Sequence, residues 1–238
     1  MNSNKKEIDF DNYVTDYETI INRHARLAGG SLEHFIGVRL GIVAELWQNR
    51  TRPAEIVNIV DFGCGIGVTQ VQMARVFPRS QIVGLDVSAA SISAAQKRCL
   101  DRVSFKTIEP GGALPFANNS VDLVYSNGTF HHIPHRDHQS IFSEIYRIMR
   151  PDASMFIFEN NVFNPMTVYA MRQNPFDVDA CLIAPPRMKR RILAAGFIKI
   201  RQGYYCFFPK PLTFLRFAER HLRWFPLGAQ YYTWAIKP

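Results

Sequence analysis

From about residue 56 onward, short apolar runs alternate with longer segments in which apolar residues recur every three to four positions. Runs such as Ile56-Val57-Asn58-Ile59-Val60 predict strands at 56–61, 81–86, 103–108, 121–126 and 154–159, with helices near 68–77, 89–100 and 137–149 between them. Strands apolar on both faces, linked through helices of roughly ten residues, imply right-handed crossovers and a parallel sheet covered on both sides. The expected fold class is therefore α/β, a Rossmann-like doubly wound sheet.

Two helical patterns precede the sheet, at 12–27 and 32–48, and predict an N-terminal helical cap over residues 1–50. Phe35, Val38, Ile42 and Leu46 hold a helical period, and Gly29-Gly30-Ser31 parts the two helices with Ser31 placed as an N-cap. After a core over 56–160, the stretch "NNVFNPMTVYAMRQNPFDVDACLIAPP" is rich in Asn and Pro and weakly periodic, which marks a long functional excursion. A helix near 186–195 stopped by Gly196, a strand near 197–208, a basic aromatic helix near 211–223 and a strand at 230–236 complete the chain. With no repeat and no linker, residues 1–238 are expected to form one domain.

Composition agrees with a globular protein: 238 residues, 47% hydrophobic and 20% charged, are enough to bury a sizeable core. The polar start and the lack of a long apolar run point to a cytoplasmic protein without a transmembrane segment. Cys64, Cys99, Cys181 and Cys206 are widely spaced, as reduced structural thiols are. Charge is uneven: residues 151–238 carry 12 basic against 5 acidic residues, whereas residues 1–150 carry 16 against 15. Arg187-Met188-Lys189-Arg190-Arg191 and later Arg216, Arg220 and Arg223 form either solvated helix faces or a basic face for phosphate or an anionic membrane.

The most specific chemistry lies in "IVDFGCGIGVTQVQMARVF", where Gly63, Gly65 and Gly67 turn a strand into a helix and allow a ligand to lie against backbone N–H groups. A dinucleotide fingerprint needs Gly or Ala where Val68 stands, and no Tyr-x-x-x-Lys pair occurs, so a nicotinamide-dependent oxidoreductase is the weaker alternative. Asp61 precedes the loop, and Asp86 ends the next strand, where a carboxylate can accept both hydroxyls of a ribose.

Taken together, "VDFGCGIG", "GLDVS", "LPFANNSVDLVYSNGTFHHI" and "RIMRPDASMFIFE" resemble the successive motifs of class I S-adenosylmethionine-dependent methyltransferases, over about residues 57–159. The resemblance implies a seven-stranded sheet with an antiparallel last strand, S-adenosyl-L-methionine as cofactor and S-adenosyl-L-homocysteine as product. It implies that Asp61, Gly63, Cys64, Gly65 and Gly67 surround the methionyl part, that Asp86 binds the ribose, that Val87 and Ser88 flank the adenine, and that Asn127 closes the site. One departure stands out: Pro110 occupies the position of an acidic residue that contacts the adenine amine in the family, and the adjacent Glu109 is the candidate to replace it. In the cap, Tyr13, Tyr17 and Arg39 are candidate cofactor contacts, with cap packing and a solvated charge as the competing roles.

Methyl transfer is an in-line displacement, so the protein must align the reacting groups and exclude water, and a base is needed only for a weakly acidic acceptor. In "SNGTFHHIPHRDH", His131 and His132 follow Asn127 at the expected acceptor mouth and are the candidate catalytic residues, either as a base or as a lip that shapes the pocket. No metal is expected, because His131, His132, His135 and His138 sit on one short loop with no Cys partner. His135, Arg136 and Asp137 read as a helix start with Asp137 as N-cap.

Further on, "ENNVFNPMT", "PFDVDA", "FFPKPL" and "PLGAQYY" resemble a bacterial subgroup of largely uncharacterised methyltransferases. The resemblance implies O- or N-methylation of a small molecule, such as a sugar or lipid-linked intermediate in glycan, lipid or secondary-metabolite synthesis. No nucleic-acid partner is expected, since Ser126-Asn127-Gly128-Thr129-Phe130 stands where a base-directed enzyme has an N/D-P-P-Y/F tetrapeptide. Glu159, Asn160 and Asn161 suit either a polyhydroxylated acceptor or a turn. Met166, Tyr169, Phe176, Phe207, Phe208 and Trp224 suit either an apolar acceptor groove or the core, the commoner fate of such residues.

Overall fold

The computed structural model describes Ala25, residues 29–48, 57–174, Asp177 and 180–238. The predicted helix at 12–27, with Tyr13 and Tyr17, lies outside the described residues apart from Ala25, as does Phe176.

Seven strands form one sheet in the order β3-β2-β1-β4-β5-β7-β6. They are β1 (Val57–Phe62), β2 (Ser80–Asp86), β3 (Val103–Thr107), β4 (Val121–Asn127), β5 (Met149–Asn160), β6 (Ile198–Tyr205) and β7 (Gln230–Ile236). The first five pair in parallel, and β7 runs antiparallel to both β5 and β6, as the resemblance implied.

Side-chain alternation along each strand sends residues to two separate cores. Ile59, Leu123, Tyr125, Phe156 and Phe158 point to one face, where α1 (Leu32–Gln48) and α2 (Val68–Val76) cover them with Ile36, Leu40, Val43 and Met73. Val60, Val124, Met155 and Ile157 point to the other, under α4 (His138–Ile148) and α6 (Pro185–Ala194). Between these, α3 (Ala89–Gln96) packs Ile92 and Ala95 with Phe105, and α5 (Pro165–Arg172) crosses the excursion. Ser31 caps α1 as expected, its Oγ accepting the His34 N–H at 3.1 Å.

Three elements differ from the pattern-based expectation. The stretch 89–100 stops helical at Gln96, and Cys99 and Arg102 both adopt positive φ, which turns the chain into β3. The excursion contains α5, capped by Asn164, whose Oδ1 accepts the N–H groups of Met166 and Thr167, with Pro165 at the first turn. At the C-terminal side, 211–223 is a 3-10 segment, Lys210–Ala218, kinked at Leu212, followed by the one-turn helix α7 (Glu219–Leu222). Neither segment has a buried residue, so no packed face holds them to α geometry.

Candidate active site

β1 is hydrogen-bonded to β2 on one side and to β4 on the other, so the loops after these strands diverge and leave a crevice at the carboxyl edge. The glycine loop fills its floor. Gly63, Gly65 and Gly67 have φ of 80°, 52° and 78°, a region that side chains disfavour. A Cβ on Gly63 would lie 2.1 Å from Thr129 Oγ1, whereas one on Gly65 would meet nothing within 4 Å. The first glycine is therefore required by close packing, and the second faces open space that a ligand can use.

Hydrogen bonds clamp the loop. The N–H groups of Gly63 and Cys64 donate to the Leu85 carbonyl at 2.8 and 2.9 Å. Arg98 Nε donates to the Ile66 carbonyl at 2.7 Å, a support that its place in the sequence does not signal. The buried Cys64 side chain packs with Ile92, Ala95 and Phe105, and burial pushes its thiol far up, so this residue offers the site only backbone.

Asp86 acts as the hub. Its Oδ2 accepts the Gly65 N–H at 2.8 Å and its Oδ1 the Ser88 N–H at 3.0 Å. Ser88 is buried and caps α3 by accepting the Ser91 N–H, while Val87 is about half exposed at the crevice. Glu109 is exposed in the turn that follows Ile108, whose N–H donates to the Asp86 carbonyl at 2.9 Å.

Asp61 is buried on the α1 side and accepts a hydrogen bond from Gln70 Nε2. Burial, then repulsion from Asp86, lifts its pKa to about 8. A buried carboxyl this close to a second one favours a cationic ligand beside it. Arg39 is buried beneath the same strands, its Nε donating to Tyr125 Oη at 3.2 Å, and it is held firmly charged by surrounding phenols against the opposing effect of burial.

Across the crevice, the histidines separate by function. His131 is buried on the 3-10 turn Phe130–His132, with Nδ1 2.5 Å from Glu159 Oε2 and Nε2 3.3 Å from Asp177 Oδ1. Burial opposes its charge, but the two carboxylates outweigh burial and hold its pKa up to about 10. At neutral pH this ring is an imidazolium with no lone pair to offer. His132 lies 4.1 Å from it, ring centre to ring centre, and burial together with that neighbouring charge pushes its pKa down to about 3. His132 therefore stays neutral.

The other two histidines of this stretch are structural or peripheral. His138 is fully buried: Nε2–H donates to the Phe130 and Ile133 carbonyls at 3.0 Å each, and Nδ1 accepts from Arg191. It ties the 3-10 turn to α4 and α6. His135 Nε2 lies 3.1 Å from the Cys181 carbonyl, and Asp137 occupies the N-cap position of α4 without a side-chain capping bond.

Of the strand-end polar residues, Asn161 is used in a turn, its Nδ2 donating to the Pro226 and Gly228 carbonyls at 2.9 and 2.8 Å. Asn160 Oδ1 accepts from Gln230 Nε2. The excursion brings Asp177 to the site, a residue whose only signal in the sequence is the stretch "PFDVDA". Met166, Tyr169 and Trp224, for which core was the commoner expectation, are 72%, 64% and 75% exposed.

Residues 59–152 match the family model of a methyltransferase domain. The trans-aconitate 2-methyltransferase of Deinococcus radiodurans is 33% identical over 94 residues, covering 40% of this chain and 34% of that protein. A malonyl-[acyl-carrier protein] O-methyltransferase of Legionella pneumophila is 33% identical over 93 residues, covering 39% and 32%. Over residues 59–152 the chain is thus similar to methyltransferase domains. The alignment spans about a third of the length of each of these two relatives. A S-adenosylmethionine-dependent methyltransferase from Thermotoga maritima shares the fold at a TM-score of 0.68 and 18% identity, over 96% of this chain and 98% of that one. Phosphoethanolamine N-methyltransferase 2 of Haemonchus contortus, solved with S-adenosyl-L-methionine, gives 0.64 and 18%, over 98% and 61%. At these identities the structures speak for the fold of the methyltransferase domain and its flanking strands. Among the described residues, no helix is long and apolar enough to cross a membrane.

Proposed function

We propose that the chain transfers the methyl group of S-adenosylmethionine to an oxygen or nitrogen of a small-molecule acceptor. The observation that carries this reading is the meeting, at one sheet edge, of the Asp86-clamped glycine loop and the buried His131–Glu159–Asp177 cluster.

The cofactor supplies a methyl group on a cationic sulfur when bound. Open space over Gly65 and the raised pKa of Asp61 fit a ligand of that charge. Asp86 is assigned to the ribose hydroxyls, Val87 and Ser88 to the adenine and Glu109 to its amine. Asp61, Gly63, Cys64 through its backbone, Gly65, Gly67, Asn127 and Arg39 are assigned to the methionyl side.

On the acceptor side, Glu159 and Asp177 oppose a single imidazolium, leaving a net negative charge that disfavours a carboxylate acceptor and suits a hydroxyl or an amine. His132 accepts a hydrogen bond from the acceptor and orients it, and His131 supplies fixed charge. A histidine held near pKa 3 carries away few protons at neutral pH, so amines and acidified hydroxyls are favoured. Exposed Phe214, Phe217 and Trp224 beside Arg216 and Arg220 support peripheral contact with an anionic membrane, the setting of a lipid-linked acceptor.

Calorimetry of the full chain against S-adenosylmethionine and NADH tests the first step; absence of heat with the former at millimolar concentration would overturn the reading. A labelled-methyl screen of sugars, amines and lipid-linked intermediates then identifies the acceptor.

Asp61 gives a separate prediction. Its folded pKa is raised, so its protonated form favours the fold and its contribution is lost as pH climbs from about 4 through 8. Asp61→Asn removes that penalty. The variant should exceed the wild type in unfolding free energy by on the order of 5 kcal/mol at pH 8, with the gap closing toward pH 4. Thermal and urea unfolding at both pH values measure it, and a gap independent of pH would contradict the assignment.

A further inference from the structure

The two histidines and Asp177 do more than form an ion pair. One ring nitrogen of each histidine and a carboxylate oxygen of Asp177 all lie within 4.8 Å of one another, and Nε2 of His131 and of His132 stand 3.3 and 3.9 Å from Asp177 Oδ1. Donors bound to a common tetrahedral ion at about 2.0–2.1 Å are about 3.4 Å apart, and the two nitrogen–oxygen distances already lie close to that spacing.

The groups behind them are set as ligands require. His131 Nδ1 is engaged by Glu159 Oε2, and Glu159 Oε1 in turn accepts the Phe130 N–H at 2.8 Å. Asp177 Oδ2 accepts from Asn174 Nδ2 at 2.7 Å, which turns Oδ1 toward the imidazoles. A carboxylate on the far nitrogen of a metal-binding histidine fixes its tautomer and raises its donor strength.

We propose that His131, His132 and Asp177 form a binding site for one divalent transition-metal ion, with Glu159 as the orienting group behind His131. The ion displaces the proton shared between His131 and Asp177, and that proton passes to solvent. Two nitrogens and one carboxylate oxygen leave at least one position for water or an acceptor oxygen, and His132, 20% exposed, lies on the open side. Resting on the methyltransferase reading, the inference narrows the acceptor class to a hydroxyl that the ion binds and acidifies. The sequence argued against a metal because the four nearby histidines share one short loop with no Cys partner; Asp177, 45 residues beyond His132, brings a carboxylate donor from outside that loop.

Titrating the full chain with Co2+ and following its visible absorption tests the site. A single saturable equivalent with tetrahedral-type bands is expected. His132→Ala and Asp177→Asn should each weaken binding by roughly 10-fold or more, and Glu159→Gln by about 10- to 100-fold. His135→Ala should leave it unchanged. Far-ultraviolet circular dichroism of each variant confirms the fold, and calorimetry with S-adenosylmethionine is run on the same samples. Absence of Co2+ bands at millimolar metal, or equal affinity in all variants, overturns the metal site while unchanged cofactor binding leaves the methyltransferase reading standing. Co2+ binding without cofactor binding does the reverse.

Discussion

Asp86→Ala is expected to weaken S-adenosylmethionine binding by roughly 100-fold or more, because two hydrogen bonds to a charged acceptor, at about 1.5–3 kcal/mol each, are lost together. The effect does not stop at the ribose. Both Asp86 oxygens also hold backbone N–H groups, of Gly65 and of Ser88, so the alanine variant releases the glycine loop and the start of α3. Asp86→Asn separates the two contributions: one oxygen remains for a backbone N–H, and the charge is gone. Its affinity should fall between wild type and alanine. Calorimetry on the three proteins measures this, and an alanine variant that binds like wild type would remove Asp86 from the cofactor site.

The carboxyl edge was legible in the sequence because its signals are local. Positive φ at Gly63, Gly65 and Gly67 leaves glycine as the fitting residue, and Asp86 stands at a strand end whose apolar run marks it. Buried strands with short crossovers likewise expose the parallel order of β1 to β5. The acceptor side obeys no such local rule. Asp177 reaches His131 from a distant excursion without regular period, and a pairing across that separation leaves no trace in a single sequence. Helix α5 did carry a signal, Asn164-Pro165 as cap and first turn, but the Asn- and Pro-rich surroundings obscured it. The basic aromatic helix expected near 211–223 failed for the opposite reason: none of residues 210–222 is buried, so no packed face holds the segment to α geometry.

Glu159→Gln is expected to be the most disruptive single change at the acceptor side. Glu159 accepts from His131 Nδ1 through one oxygen and from the Phe130 N–H through the other, and both partners are buried. A glutamine has one oxygen for two donors, so its amide faces an N–H and His131 loses its nearest counter-charge. Breaking a buried pair in this way costs about 3–5 kcal/mol. The pH dependence identifies the cause. In the wild type the folded pKa of His131 is raised to about 10 from an ordinary 6.5, so its contribution is complete below 6.5 and lost as pH rises through 10. The variant lacks most of that contribution, and the stability gap between the two proteins should therefore be widest near pH 6 and shrink toward pH 10. Urea unfolding across this range measures the gap. A constant gap would mean that Glu159 acts through the Phe130 N–H alone, and His131 would then return as a candidate base.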